Sequence, residues 1–225
     1  MSTPVTENLF AGREAIIFDF DGTIADTFTL HETAFQQALK DYPLEFSYSD
    51  YTGMSTGRAI RMIFEANDQH PGEEDLTILV ARKRQLANQL YQSYIRFMPG
   101  AREFIVAAHD RGLKLFIGSS GSAMNIGTGV EALGIGHYFS GVITADDVTR
   151  AKPDPEIFQV ILQRYSIDPS TALVIEDAPS GIRAAAAAGI DVICVDPFTD
   201  LDNGYPVMVC KAGFGELINL IGHAR

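Results

Sequence analysis

Five short apolar runs, most of them ending in polar residues, constrain this chain more than anything else in it. They are AIIFDF (15–20), LKLFIGSS (113–120), GVITAD (141–146), TALVIED (171–177) and DVICVD (191–196). Several are solid apolar runs with no alternation, the pattern of parallel strands covered on both faces. The stretches between them carry helix signals. EFIVAAH (103–109) is amphipathic, Pro155 opens a helix running to about Tyr165, and Pro179 opens another through the alanine block 184–188, which Gly189 terminates. Repeated strand-helix-strand units predict an α/β fold built on a doubly wound parallel sheet.

The rhythm fails between Asp26 and Met98. No strand pattern occurs there, only helical stripes: Phe28, His31, Phe35 and Ala38; then Ala59, Ile60, Ile63 and Phe64; then Leu76, Val80, Lys83, Leu86, Leu90, Tyr94 and Phe97. This predicts an all-helical insert over 26–98, with 1–25 and 99–225 forming the α/β core.

In open parallel sheets, ligands bind just beyond the carboxyl ends of the strands. The first run delivers Asp19 and Asp21 there. The second delivers Ser119 and Ser120, followed by Gly121. Lys152 in AKPDP follows the third, and Glu176 and Asp177 end the fourth. Two carboxylates about 4 Å apart repel by roughly 4 kcal/mol at an effective dielectric near 20. A cluster of three or four is a large burden against a typical stability of about 5–15 kcal/mol. A divalent cation relieves it, and oxygen ligands without His or Cys suit a hard ion, Mg²⁺. Asp26, close to a helix start, reads better as a capping residue.

A net charge of −12, with no basic run longer than Arg82-Lys83-Arg84, argues against nucleic acid as a partner. No apolar stretch reaches about 18 residues, so no membrane span is expected. The polar start MSTPVTENLFAGRE lacks the pattern of a signal peptide. Two cysteines, Cys194 and Cys210, read as small buried hydrophobes and fit a reducing cytoplasm.

What would need Mg²⁺ is an anion. Ser119, Ser120 and Gly121 offer hydroxyl and backbone N–H donors at a strand-to-helix turn, and Lys152 adds a positive charge. Metal, lysine and N–H donors around one anion describe a phosphoryl-transfer site. An Asp beside the metal can attack phosphorus and form an aspartyl phosphate. Gly22 allows the chain to bend so that Asp21 exchanges protons at the same site.

DFDGT (19–23), the strand-end Ser119, Lys152 in KPDP and ED at 176–177 together resemble the four signature motifs of the haloacid dehalogenase superfamily. VIEDAPSGIRAAAAAGI resembles the branch of small-molecule phosphatases and β-phosphoglucomutase, and the helical insert resembles that family's cap. The resemblance implies Asp19 as nucleophile and metal ligand, and Asp21 as general acid/base with its backbone carbonyl on the metal. It implies Ser119 and Lys152 as phosphoryl holders and Asp177 as a metal ligand, with Glu176 a ligand or a supporting partner. Four cap residues become candidates for substrate contact: His31 and Lys83, which interrupt apolar stripes, and Thr56 and Arg58 in YTGMSTGRAI (51–60).

Three functions fit this pattern. The leading one is a Mg²⁺-dependent phosphatase of a small phosphorylated metabolite, a sugar phosphate by preference. The second is a β-phosphoglucomutase-type phosphosugar mutase. Against it, Thr56 stands where the mutases carry an Arg that grips a second phosphate, and Thr23 stands where they often carry Val. The third is a phospho-accepting signalling module, which would need neither Asp21 nor a cap. Oligomeric state is not readable from the sequence.

Overall fold

The computed structural model describes residues 9–196, 199–201 and 204–223. The polar start up to residue 8, on which the absence of a signal peptide was read, lies outside them. Six strands form one parallel sheet: β1 (Ala15–Phe18), β2 (Lys114–Gly118), β3 (Phe139–Ile143), β4 (Ala172–Glu176), β5 (Asp191–Cys194) and β6 (Val209–Lys211), in the order β3-β2-β1-β4-β5-β6. The helices are α1 (Phe28–Leu39), α2 (Thr56–Ala66), α3 (Glu73–Tyr94), α4 (Ala101–Asp110), α5 (Ala123–Ala132), α6 (Glu156–Tyr165), α7 (Pro179–Ala187) and α8 (Phe214–His223).

The solid apolar runs follow from two-sided burial. Along β1, Ile16 and Phe18 join one core with Leu115, Ile117, Leu173 and Ile175, against α4 and α8. Ala15 and Ile17 point to the opposite core, with Phe116, Val174 and Val192 against α6 and α7. Successive side chains alternate between faces, and both faces are covered, so no polar position is tolerated. Burying an Ile or Phe fully is worth about 1.5–3 kcal/mol, which fixes β1 at the centre of the sheet.

Two expectations on the sheet change. The third strand begins at Phe139, two residues before the run GVITAD, and the sheet has a sixth strand, β6. β6 is three residues long and only Cys210 is fully buried, too little apolar signal to stand out.

Helices α1, α2 and α3 sit between β1 and α4, with a core of their own made by Phe35, Leu39, Tyr48, Ile60, Ile63, Phe64 and Leu79. On α3 the buried positions are Leu76, Leu79, Lys83, Ala87 and Tyr91. Leu76 and Lys83 stand on the expected stripe, but beyond Lys83 the buried face runs through Ala87 and Tyr91 instead of Leu86, Leu90 and Tyr94, and Tyr94 is exposed. Helix α1 starts after Thr27 with no side-chain cap, so Asp26 does not cap it. No helix of the described residues is long and apolar enough to cross a membrane.

Candidate active site

From β1 the chain runs to β2 and β3 on one side of the sheet, and it later returns to β4 on the other. The crevice beyond the carboxyl ends of β1, β2 and β4 is therefore a topological switch point. Phe18 is in register with Ile117 and Ile175, and the Asp19 N–H donates to the Ile175 carbonyl at 2.9 Å. Asp19 is thus the first side chain past the strand. Gly22, at φ +85°, turns the chain back. Asp21 then joins Asp19 on the wall of one cavity, which Ser119, Ser120, Lys152, Glu176 and Asp177 also line.

Lys152 is buried between two carboxylates. Its Nζ donates to Asp19 Oδ1 at 2.7 Å and to Glu176 Oε1 at 2.8 Å. Burial opposes its charge, but Asp19 and Glu176 outweigh burial and hold the ammonium well above the usual lysine range. Glu176 Oε2 accepts backbone N–H groups of Asp177 (2.9 Å) and Ala178 (2.8 Å). Both Glu176 oxygens are committed, so this residue sits as the buried partner of Lys152 rather than as an available ligand. Burial pushes the Asp19 carboxyl up to about 7; Lys152 opposes the shift while Glu176 and Asp21 add to it.

Asp177 accepts from Thr23 Oγ1 at 2.8 Å and packs against Gly22, where a Cβ would lie 2.3 Å from its Oδ2. Burial raises its carboxyl well above the ordinary range, and the charges of Glu176 and Asp19 raise it further. Among the described residues no group of three or more His, Cys, Asp or Glu side chains is arranged to hold a metal. Mg²⁺, however, characteristically keeps several waters and takes only one or two carboxylates plus phosphate oxygens. Asp19, buried, and Asp177, half-buried and pushed up by the charge of Asp19, fit that demand.

At the end of β2, Ser119 is buried, its N–H bound to the Ile143 carbonyl and its Oγ accepting the Gly121 N–H at 3.0 Å. Ser120 lines the cavity beside it.

Asp21 faces the helical insert. His31 Nε2 lies 3.1 Å from its Oδ1, and the Tyr91 hydroxyl donates to the same oxygen. Burial pushes this carboxyl up, but His31, Tyr91 and Thr27 win, leaving it at about 2. Lys83 Nζ lies 2.6 Å from His31 Nδ1. Burial and Lys83 lower the His31 pKa, so the ring is neutral. With Lys83 donating to Nδ1, the imidazole proton sits on Nε2 and points at Asp21.

Of the four cap candidates, His31, Lys83 and Thr56 line the cavity. Arg58 does not: it is exposed on α2, beside the buried Ala59 and Ile60. Tyr91 and Tyr48 were missed. Tyr91 lies eight residues, just over two turns, beyond Lys83 on α3, and that spacing was its available signal.

The model of the haloacid dehalogenase-like hydrolases matches residues 16–195. A fructose-1-phosphate phosphatase of Escherichia coli, YqaB, is 31% identical over 192 residues, spanning 80% of this chain and 95% of that protein. A phosphorylated carbohydrates phosphatase of Thermotoga maritima is 27% identical over 183 residues, 80% and 83% of the two chains. In fold, the chain matches the crystal structure of CbbY from Rhodobacter sphaeroides in complex with phosphate. The TM-score is 0.79 at 24% identity, covering 91% of this chain and 96% of that one.

Proposed function

The chain belongs to the haloacid dehalogenase-like hydrolases, and we propose that it is a Mg²⁺-dependent phosphatase of small, singly phosphorylated metabolites with a neutral leaving group, of the sugar-phosphate class. The observation that carries the reading is Lys152 held between Asp19 and Glu176, in a cavity that Phe28, His31, Tyr48 and Lys83 of the helical insert also line.

In this reading Asp19 attacks phosphorus while Lys152 and Ser119 hold the phosphoryl oxygens, with Ser120 beside them. Asp21, ionised in the free protein, takes a proton from the entering phosphate monoester, whose negative charge raises its proton affinity, and gives that proton to the departing oxygen, leaving an aspartyl phosphate on Asp19. Asp21 then takes a proton from water, the water attacks phosphorus, and inorganic phosphate leaves. Mg²⁺, held by Asp19, Asp177 and the Asp21 carbonyl, would supply charge neutralisation for the phosphoryl group. Glu176 fixes Lys152. Phosphate monoesters require acceleration of up to about 10²¹, which no single one of these groups supplies.

The leaving-group side supports the substrate class. Among the described residues it is lined by Phe28, Phe35, Tyr48, Met54 and Thr56, with Lys83 the one lysine or arginine on that side. Lys83 is already turned to His31, so among these residues no uncommitted cation meets a second phosphate. This favours hydrolysis over the mutase reading, in which a bisphosphate must be held, and the hydrolase family sets aside the signalling module. The two buried free thiols suit a reducing compartment, the cytoplasm.

The test is phosphate release with Mg²⁺ across sugar monophosphates, sugar bisphosphates, phosphoglycolate and nucleotides, beside an assay converting β-glucose 1-phosphate to glucose 6-phosphate. The reading expects release from monophosphates over bisphosphates. Isomerisation outpacing release would overturn it.

A further inference from the structure

We propose that Tyr91, on the long cap helix α3, is a positioning residue for Asp21: its hydroxyl fixes the carboxylate that exchanges protons with the leaving group and with water. The inference rests on the acid/base reading of Asp21.

Tyr91 is completely buried. Its hydroxyl donates to Asp21 Oδ1 and lies 2.9 Å from His31 Nε2. Two donors from different helices, His31 on α1 and Tyr91 on α3, thus converge on one oxygen. The Thr27 side chain also bonds Asp21, but Tyr91 is the donor anchored in the core beside β1, and its bond narrows the carboxylate's swing beyond what His31 and Thr27 allow.

Tyr91 can do this because it is itself held. Its ring packs against Phe20, centroids 6.4 Å apart, and Phe20 lies between the two catalytic aspartates. One turn earlier on α3, Asn88 Nδ2 donates to Thr128 Oγ1 on α5 at 2.6 Å. Although α3 belongs to the cap, Tyr91 packs in the core beside β1, with Ile16, Phe18 and Phe20. The hydroxyl is therefore referenced to the sheet that carries Asp19, and Asp19 and Asp21 share one frame.

The experiment compares wild type, Tyr91→Phe and Asp21→Asn on p-nitrophenyl phosphate with Mg²⁺, by steady-state and rapid-mixing kinetics, with melting curves. Nitrophenolate departs without needing a proton, so phosphorylation of Asp19 tolerates a misplaced Asp21, whereas hydrolysis of the aspartyl phosphate still needs it as base. For Tyr91→Phe the expected result is a kcat roughly tenfold to a hundredfold lower, KM falling with it so that kcat/KM stays within about twofold, and a burst of nitrophenol. The melting temperature should fall by no more than about 4 °C, the shift one lost kcal/mol would give. Unchanged kcat would overturn the proposal. So would a tenfold or larger fall in kcat/KM with loss of the burst and a melting temperature lowered by more than about 4 °C, which marks a packing role. Asp21→Asn working at full speed would remove both the acid/base reading and this inference, whereas an indifferent Tyr91→Phe beside a crippled Asp21→Asn removes only the inference.

Discussion

Lys83 places its ammonium nitrogen 2.6 Å from His31 Nδ1, with both side chains sealed beneath the cap. The nitrogen also lies over the ring of Phe35, 4.6 Å from its centroid. Burial lowers the Lys83 pKa from 10.5 to about 7; Asp21 resists the shift and Arg84 adds to it. In this pH range the unfolded chain binds the proton more tightly than the folded one does. The charging penalty is therefore complete below about pH 7 and fades as pH rises toward the unfolded value. Lys83→Met removes the penalty. Urea unfolding across pH 6 to 10 should find the variant gaining on wild type most below pH 7, the difference moving by a few kcal/mol toward wild type by pH 10. A pH-independent difference would mean that Lys83 stays charged throughout. Hydrolysis should fall at every pH, because His31 loses the donor that sets its tautomer.

The Lys152 pair gives a second expectation. Removing one partner of a buried ion pair leaves the other unpaired, which costs about 3–5 kcal/mol. Lys152→Met should therefore both abolish phosphate release and lower stability in denaturant titrations. Glu176→Gln keeps an oxygen for Lys152 but turns an NH₂ toward the backbone N–H groups of Asp177 and Ala178. It should lose about 1–3 kcal/mol and retain measurable turnover. Equal damage from both would show that Glu176 does more than hold Lys152.

The contrast between these residues and Tyr91 shows what a sequence exposes. The central strands were legible because burial on both sheet faces forces unbroken apolar runs, and the switch point then brings Asp19, Ser119, Lys152 and Asp177 to one crevice whatever the loops do. The cap was legible only as helices. The stripe on α3 was read through Leu86, Leu90 and Tyr94, yet the buried face passes through Ala87 and Tyr91. Over 22 residues a small error in helical phase moves the stripe by one position, and a stripe of mixed Leu, Ala and Tyr does not correct it. Arg58 failed for a related reason. Its neighbours Ala59 and Ile60 take the buried face, so it turns to solvent. Arg58→Ala should leave kcat/KM on any accepted monophosphate within about twofold, in keeping with a surface substitution. A larger loss would restore it to the substrate site.

Gly22 tests the turn itself. Its φ of +85° is one that L side chains rarely adopt, and a Cβ there would stand 2.3 Å from Asp177 Oδ2. Gly22→Ala combines backbone strain of about 1–3 kcal/mol with displacement of a carboxylate assigned to the metal. Melting temperature and activity should both drop, and added Mg²⁺ should rescue neither. Recovery of turnover at high Mg²⁺ would show that Asp177 has room to shift.

The magnesium assignment has a readout independent of turnover. A ligand that binds only the folded chain stabilises it by about 2.7 kcal/mol at a hundred times its Kd. For a chain of this size that is a rise in melting temperature of roughly 5–11 °C. Mg²⁺ should produce such a rise in the wild-type protein, and chelator should reverse it. Asp19→Asn and Asp177→Asn each remove one proposed ligand and should blunt the rise, while the unliganded variants stay folded: Asp19→Asn keeps an oxygen for Lys152, which retains Glu176, and Asp177→Asn relieves the repulsion from Glu176 and Asp19. Glu176→Gln, whose oxygens already serve Lys152 and two backbone N–H groups, should keep most of the rise. If Asp177→Asn responds to Mg²⁺ as wild type does, the ion is held elsewhere. If Glu176→Gln alone loses the response, Glu176 is the ligand and its hydrogen bonds to Lys152 and the backbone must give way when the ion binds.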